Sequence, residues 1–253
     1  LQGNGANDIL RGGEGNDTLK DTGGNNLLDG GAGADSLTGK DGNELFIGGS
    51  GNDTINTGTG TGSDIIAFNR GDGQDTVVAS AGLDNTLSLG GGIRYEDPAL
   101  RKSANDLILE LGGTDQISLK NWYSGTGNRS VLNLQMVVDA MAAYDPNSAD
   151  PLLNKRVEQF NFAGLVERFD QTRAATPTLT RWTLMNSLLE MHLSGSDSDA
   201  LGGDLAYQYG KQGTLSGLAL GAAQGALNHT QFGTQVQALQ PPQAAQDGLV
   251  RLS

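Results

Sequence analysis

Between residues 3 and 78 a nine-residue phrase, G-G-x-G-x-D-x-U-x with U a large apolar residue, is written eight times without losing step. Residues 12–20, 30–38 and 48–56 spell it in full. Elsewhere the letters blur but the spacing holds. The sixth position falls at Asp8, Asp17, Asn26, Asp35, Glu44 and Asp53, each nine residues on, then at Asp64 and Asp75 after two steps of eleven. Two residues later comes the apolar position: Leu10, Leu19, Leu28, Leu37, Phe46, Ile55, Ile66 and Val77.

A fixed period of this kind marks a solenoid. Six residues dominated by Gly, Asn and Asp form a turn, because several must take φ > 0 and Gly does so at least cost. Its fourth position is Gly15, Gly24, Gly33, Gly42, Gly51, Gly62 and Gly73, with Ala6 the exception. The three residues left over suffice for a very short strand whose middle side chain, U, points inward. Turn, strand, turn, strand makes one coil of two nine-residue copies. The expected fold is therefore mainly β, a flattened parallel β-roll with successive coils one strand spacing, ~4.8 Å, apart.

Because copies alternate between the roll's two edges, one edge gathers Asp17, Asp35, Asp53 and Asp75, and the other Asp8, Asn26, Glu44 and Asp64. Stacked carboxylates repel, by about 3 kcal/mol for two charges ~5 Å apart at an effective dielectric near 20. The turns also aim backbone carbonyls at the same gaps. Oxygen donors with no Cys and no His in the repeats describe a hard-cation site suited to several Ca2+ ions. The expected ligands are the carboxylates of Asp8, Asp17, Asp35, Glu44, Asp53, Asp64 and Asp75, with the turn glycines Gly12, Gly13, Gly15, Gly30, Gly31, Gly33, Gly48, Gly49 and Gly51. The core beneath is one thin row of U side chains, so the ion is expected to be part of the fold. An asymmetry is also expected, with full binding on the all-Asp edge and weaker or incomplete binding where Asn26 and Glu44 stand. A disordered, solvated linker would share the composition. It would not keep U two residues behind the acid in every copy.

The chain of 253 residues has no Cys and a formal charge of −13. Residues 1–79 carry twelve acids against four bases, so −8 of that charge lies in the repeats. Such a surface disfavours nucleic acid, which needs a basic stripe. Neither a secretory signal nor a transmembrane stretch is legible. Leu1 and Gln2 are the last two positions of a copy whose turn is missing, which suggests a fragment of a longer array. After residue 79 ordinary strand patterns begin. Leu107, Leu109 and Leu111, the Gly112-Gly113 turn, and Ile117 and Leu119 predict a hairpin that caps the last coil, with Trp122 and Tyr123 as its core anchors. Helices are expected over 152–174 and 179–193, the second carrying His192 as a structural residue. From Gln212 on, the tail reads as weakly structured until docked. The expected divisions are 1–79 for the roll, 80–138 for the cap and 139–253 for a helical C-terminal region.

Three perfect nonapeptides, the run Phe68-Asn69-Arg70-Gly71-Asp72-Gly73-Gln74-Asp75-Thr76-Val77, and Asn105-Asp106-Leu107-Ile108-Leu109 leading to Asn121-Trp122-Tyr123 together resemble the C-terminal region of bacterial RTX (haemolysin-type calcium-binding) proteins. The resemblance covers residues 1–137. It implies a module that leaves the cell through a type I secretion apparatus, guided by an uncleaved signal in the last sixty or so residues. Such a module stays disordered in low calcium and folds on extracellular calcium. By that resemblance the chain is secreted, and its cargo, a toxin, lipase or protease, lies upstream as a passenger of the same chain. A calcium-rigidified binding module of a cell-surface or biofilm adhesin is the alternative. An adhesin is less favoured because the roll's outward positions read as Thr, Ser, Asn and Lys without an aromatic cluster. The departures from the pattern, Asn26, Glu44, Asp21-Thr22 and Gly39-Lys40-Asp41, bear on the second edge.

No catalytic constellation is expected. G-x-S-x-G and H-E-x-x-H do not occur, and the two histidines are His192 and His229. Residues 33–40 imitate a phosphate loop one residue too long, and residues 197–208 imitate an EF-hand spoiled by Leu201 and Gln208. The Asp-Pro bonds at 97–98, 145–146 and 150–151 read as surface turns rather than self-cleavage sites.

Overall fold

The computed structural model describes residues 1–60, 62–78, 84–197, 203–229 and 232–233. The repeats fold as expected. Strands β1 (Ile9–Glu14), β3 (Asn26–Ala32), β5 (Glu44–Ser50), β7 (Ile65–Asn69) and β9 (Asn85–Gly90) stack in one sheet, and β2 (Thr18–Lys20), β4 (Ser36–Thr38), β6 (Thr54–Asn56) and β8 (Gln74–Val78) in the other. All these pairings are parallel. Leu10 faces Leu28 and Leu28 faces Phe46, a register of eighteen residues per coil. The two eleven-residue steps lengthen it, so that Leu45 faces Ile65 and Thr54 faces Thr76. The extra residues enter the turns, not the strands, and no side chain changes face.

The interior is the row of U side chains. Leu19, Leu28, Leu37, Phe46, Ile55, Ile66 and Val77 are buried, and Leu10 on the outermost coil is half-buried. Only glycine allows the coils to stack this closely. Gly31 has φ +100°, and a methyl group built on it would lie against the Gly13 carbonyl of the coil before.

Beyond the repeats both sheets continue. β10 (Ala99–Ser103), β11 (Asp106–Glu110) and β12 (Gln116–Leu119) form an antiparallel meander whose last strand pairs in parallel with β8. This is the expected capping hairpin, with Trp122 buried and Tyr123 packed beside it. β13 (Val131–Val137) adds to β9, followed by β14 (Val157–Asn161), while β15 (Trp182–Thr183) and β16 (His192–Ser196) close the outer edges.

The helices differ from expectation. Residues 157–161 are a strand, and helix α1 (Phe162–Ala175) starts only where Asn161 accepts a hydrogen bond from the Gly164 amide as its N-cap. The helix expected over 179–193 is β15, one short turn α2 (Met185–Leu188) and β16. The apolar spacing there reflects burial beneath the sheet edge, which a helical stripe imitates over a few residues. His192 has the structural setting expected, with Nε2 2.5 Å from Glu158 Oε2 and its ring against Phe160.

The described part of the tail from Gln212 is docked, while residues 198–202, 230–231 and 234–253, which hold parts of the EF-hand-like stretch and of the expected export signal, lie outside the described residues. Helices α3 (Gly203–Gln212) and α4 (Leu220–Leu227) dock on the outer face of the first sheet. That face is apolar, contrary to the polar exterior read from the sequence. Leu27, Leu45, Ile47, Ile65 and Ala67 are buried there against Leu205, Ala206, Tyr209, Ala223 and Leu227. The polar reading holds for the second sheet, whose outward residues include Thr18, Lys20, Ser36 and Thr54. Asparagines eighteen residues apart anchor the tail: Asn7 and Asn25 donate to the Leu227 carbonyl and Asn43 to the Phe232 carbonyl.

Candidate metal centre

On the all-Asp edge each coil repeats one arrangement. The Asp17 amide donates to Asp35 Oδ1 at 2.7 Å, the Asp35 amide to Asp53 Oδ1 at 2.7 Å, and the Asp53 amide to Asp75 Oδ1 at 3.0 Å. One oxygen of each carboxylate thus ties its coil to the preceding one. The other has a different fate. Oδ2 of Asp35 and of Asp53 is buried with no hydrogen-bond partner among the described residues, the two residues being 3% and 1% exposed. A buried, unpaired carboxylate oxygen costs several kcal/mol unless a cation faces it.

Turn glycines shape the gap in front of that oxygen. A methyl group built on Gly30 would collide with Asp35 Oδ2 and stand 2.6 Å from the Gly48 carbonyl oxygen of the next coil. On Gly12 it would meet Asp17 Oδ2 at 2.8 Å and the Gly30 carbonyl, and on Gly48 it would meet Asp53 Oδ2. Side-chain carboxylate and main-chain carbonyl from successive coils therefore converge where no Cβ is present. Among the described residues no three His, Cys, Asp or Glu side chains cluster as a metal site. A cation here depends on carbonyls as well as carboxylates, which is the donor set of Ca2+. The residues fit the ion.

Without it, the charged form of several of these acids is disfavoured. Burial, and then the charges of neighbouring acids, push Asp53 up to about 6 and Asp75 up to about 8, and burial raises Asp35 as well. Folded values above the ordinary carboxylate range mean that the ion-free roll binds more protons than the unfolded chain. Its stability is fully present below about pH 4 and is lost as pH rises through 6 to 8. In chelator the melting temperature should accordingly be higher at pH 4.5 than at pH 8. A thermal melt that rises with pH in chelator would contradict this.

The second edge is built differently. The Asp8 amide donates to Asn26 Oδ1 at 2.7 Å, the Glu44 amide to Asp64 Oδ1 at 3.0 Å, and the Asp64 amide to Asn85 Oδ1 at 2.9 Å. The ladder breaks at Asn26, whose own amide donates to the Asn43 carbonyl. Its Nδ2 donates to the Gly24 carbonyl at 2.8 Å and to Glu44 Oε1 at 3.2 Å. An amide donor thus stands among oxygens that would otherwise face a cation. Glu44 Oε2 is buried and unpartnered beside Gly39. Burial, then the Asp64 charge, raises the Glu44 pKa strongly, and burial raises Asp64. Replacing Asn26 by Ala should cost about 1–3 kcal/mol, the usual loss for a buried hydrogen-bonded polar group, by the same amount with and without calcium. Chemical denaturation in both conditions checks it.

Residues 2–37 and again 38–74 match the family profile of the RTX calcium-binding nonapeptide repeat (4 copies). Residues 2–74 are thus RTX calcium-binding nonapeptide repeats. Comparison with curated protein sequences gives no match. The RTX repeat is a calcium-binding structural unit rather than a catalytic one, and it assigns Ca2+ to this roll.

Within the RTX roll the expected ligands Asp17, Asp35, Asp53 and Asp75, with Gly12, Gly30 and Gly48, lie together on one edge. Gly13, Gly31 and Gly49 pack carbonyl against glycine up the same turns, as do Gly15, Gly33 and Gly51. Asp8, Glu44 and Asp64 lie on the opposite edge. Three contributors escaped the sequence reading. Asn85 extends the second edge by one rung past the last repeat. Asp115, from the cap, accepts from the Gly71 amide and closes the first edge. Asp21 reads in the sequence only as a broken Gly-Gly pair. It is 4% exposed, Oδ2 accepts from the Gly23 amide, and Oδ1 is buried and unpartnered. The signal available for Asp21 was an acid at position one of a copy that lacks the acid at position six.

Proposed function

We propose that this chain is the calcium-binding C-terminal module of a secreted protein, disordered where calcium is scarce and folded by extracellular calcium. Its role is to drive type I secretion and the folding of an upstream passenger. Residues 1–79 serve as the roll, 80–138 as its cap, and 139–253 as a C-terminal region containing the export signal. The observation that supports this reading best is the ladder at Asp35 and Asp53, where one carboxylate oxygen holds the neighbouring coil and the other is buried unpaired, that of Asp35 beside the Gly48 carbonyl. Bare, that edge repels itself. With Ca2+ bound at the ~10⁻⁴–10⁻³ M affinity of extracellular modules, it closes outside the cell and stays open inside.

RTX-repeat proteins are typically secreted, and among the described residues no helix is long and apolar enough to cross a membrane. Part of the segment proposed as the signal, α3 and α4, packs on the roll's first sheet. A segment buried in this way is accessible to a secretion apparatus only before the roll folds, which agrees with export as an unfolded chain. Residues 1–253 and residues 190–253 should be fused separately to a reporter in a host with a type I apparatus. Both fusions should reach the medium, and only the first should fold faster when calcium is present. Retention of both inside the cell would reject the secretion role.

A further inference from the structure

In the copy at 21–29 the acid moves from position six to position one: Asp21 stands where the phrase has Gly, and Asn26 where it has Asp. The structure gives this exchange a physical reason. On the all-Asp edge, position one must lack a Cβ because Oδ2 of the sixth residue occupies that space, as Asp35 Oδ2 does at Gly30. A side chain at 21 fills it. The sixth residue then cannot place a second oxygen there, and Asn26 turns its amide to the Gly24 carbonyl instead.

The Asp21 carboxylate points one rung back. A methyl group built on Gly3 would stand 2.9 Å from Asp8 Oδ2 and 2.5 Å from Asp21 Oδ1. The equivalent place at Gly12 is bounded by Asp17 Oδ2, at 2.8 Å, and the Gly30 carbonyl. Asp21 Oδ1 therefore occupies the position of the next coil's carbonyl oxygen, with a full negative charge in place of a dipole. It is buried and has no hydrogen-bond partner. Asp8 Oδ2 holds its place by accepting from the Asn4 amide at 2.7 Å.

We propose that Asp8 and Asp21 together hold a divalent cation, Ca2+, at the outermost rung of the second edge, while the next rung, at Asn26 and Glu44, holds none. This rests on the roll being calcium-binding, and it replaces a uniformly weak second edge by one filled rung and one closed rung. Two carboxylates on one hard cation bind more tightly than one carboxylate with a carbonyl.

The test is calcium titration of the whole chain by calorimetry, comparing the unsubstituted protein with Asp8→Asn, Asp21→Asn and the double variant. Each single substitution should remove the same binding event or weaken it at least tenfold, and the double should do no more than either single, because both side chains serve one ion. Binding unchanged in Asp21→Asn, or losses that simply add in the double variant, would overturn the proposal. Should the variants fail to fold, long-wavelength diffraction from the unsubstituted protein in calcium decides: an ion within about 2.6 Å of Asp8 Oδ2 and Asp21 Oδ1 supports it. No ion at that rung, or an ion between Asn26 and Glu44, rejects it. A chain that binds no calcium at all would instead reject the proposed function.

Discussion

Removing calcium with excess chelator at pH 8 should convert residues 1–78 from stacked strands into a chain with little regular structure. The circular-dichroism signal of β-structure should fall and then return on adding about 10 mM calcium. The size of the effect follows from linkage. An ion bound with a Kd of ~10⁻⁴ M contributes about 2.7 kcal/mol at a hundredfold excess, so two such rungs contribute about 5 kcal/mol. That is comparable with the entire stability of a small domain, about 5–15 kcal/mol. The roll's interior of U side chains is thin, and the edge oxygens of Asp35 and Asp53 have no hydrogen-bond partner among the described residues. A spectrum that chelator leaves unchanged would count against the proposal.

Replacing Phe46 by Ala should be nearly as damaging. Phe46 is completely buried, sits in the middle of the row, and is flanked in register by Leu28 on one side and Ile66 on the other. Truncating a buried Phe typically costs about 3–5 kcal/mol, part lost transfer energy and part cavity. In a solenoid each coil touches only its neighbours, so the cavity cannot be shared widely. The variant should need roughly ten or more times the calcium to reach its folding midpoint, a tenfold shift corresponding to about 1.4 kcal/mol. A midpoint within twofold of the original would show that the row of U residues is not what the ions hold together.

The roll was legible because its information is periodic. A turn needs glycine at fixed places, a strand of three residues needs one apolar side chain, and both recur at nine residues, so register and inward face follow from counting. The same counting would have reached further. Asn7, Asn25 and Asn43 recur at eighteen, as do Ile9, Leu27 and Leu45. These two series mark the face on which α3 and α4 dock. The apolar series was hidden because position seven, which it occupies only in the second-edge copies, is Thr or Ser in the first-edge copies, and the Asn series because position five is also Asn at 16 and 52.

Past residue 138 no period disciplines the reading. β14 pairs with β13 on one side and with β16 on the other, the latter through contacts distant in sequence. Their apolar residues imitate helical spacing, and α1 begins only at the Asn161 cap. The candidate site divides in the same way. Asp17, Asp35, Asp53 and Asp75 follow from the phrase, whereas Asp21 and Asp115 act through neighbours that only the folded coils supply.

The most direct test of the central idea, that calcium ions pin the stacked carboxylates of the first edge, is to locate the ions. Anomalous scattering from calcium-soaked crystals should place them between successive coils, each touching the free oxygen of Asp35 or Asp53, and the ion at Asp35 also the Gly48 carbonyl. Crystals grown in millimolar calcium with no anomalous signal along that edge, and the Asp35 and Asp53 oxygens still unpaired, would contradict it.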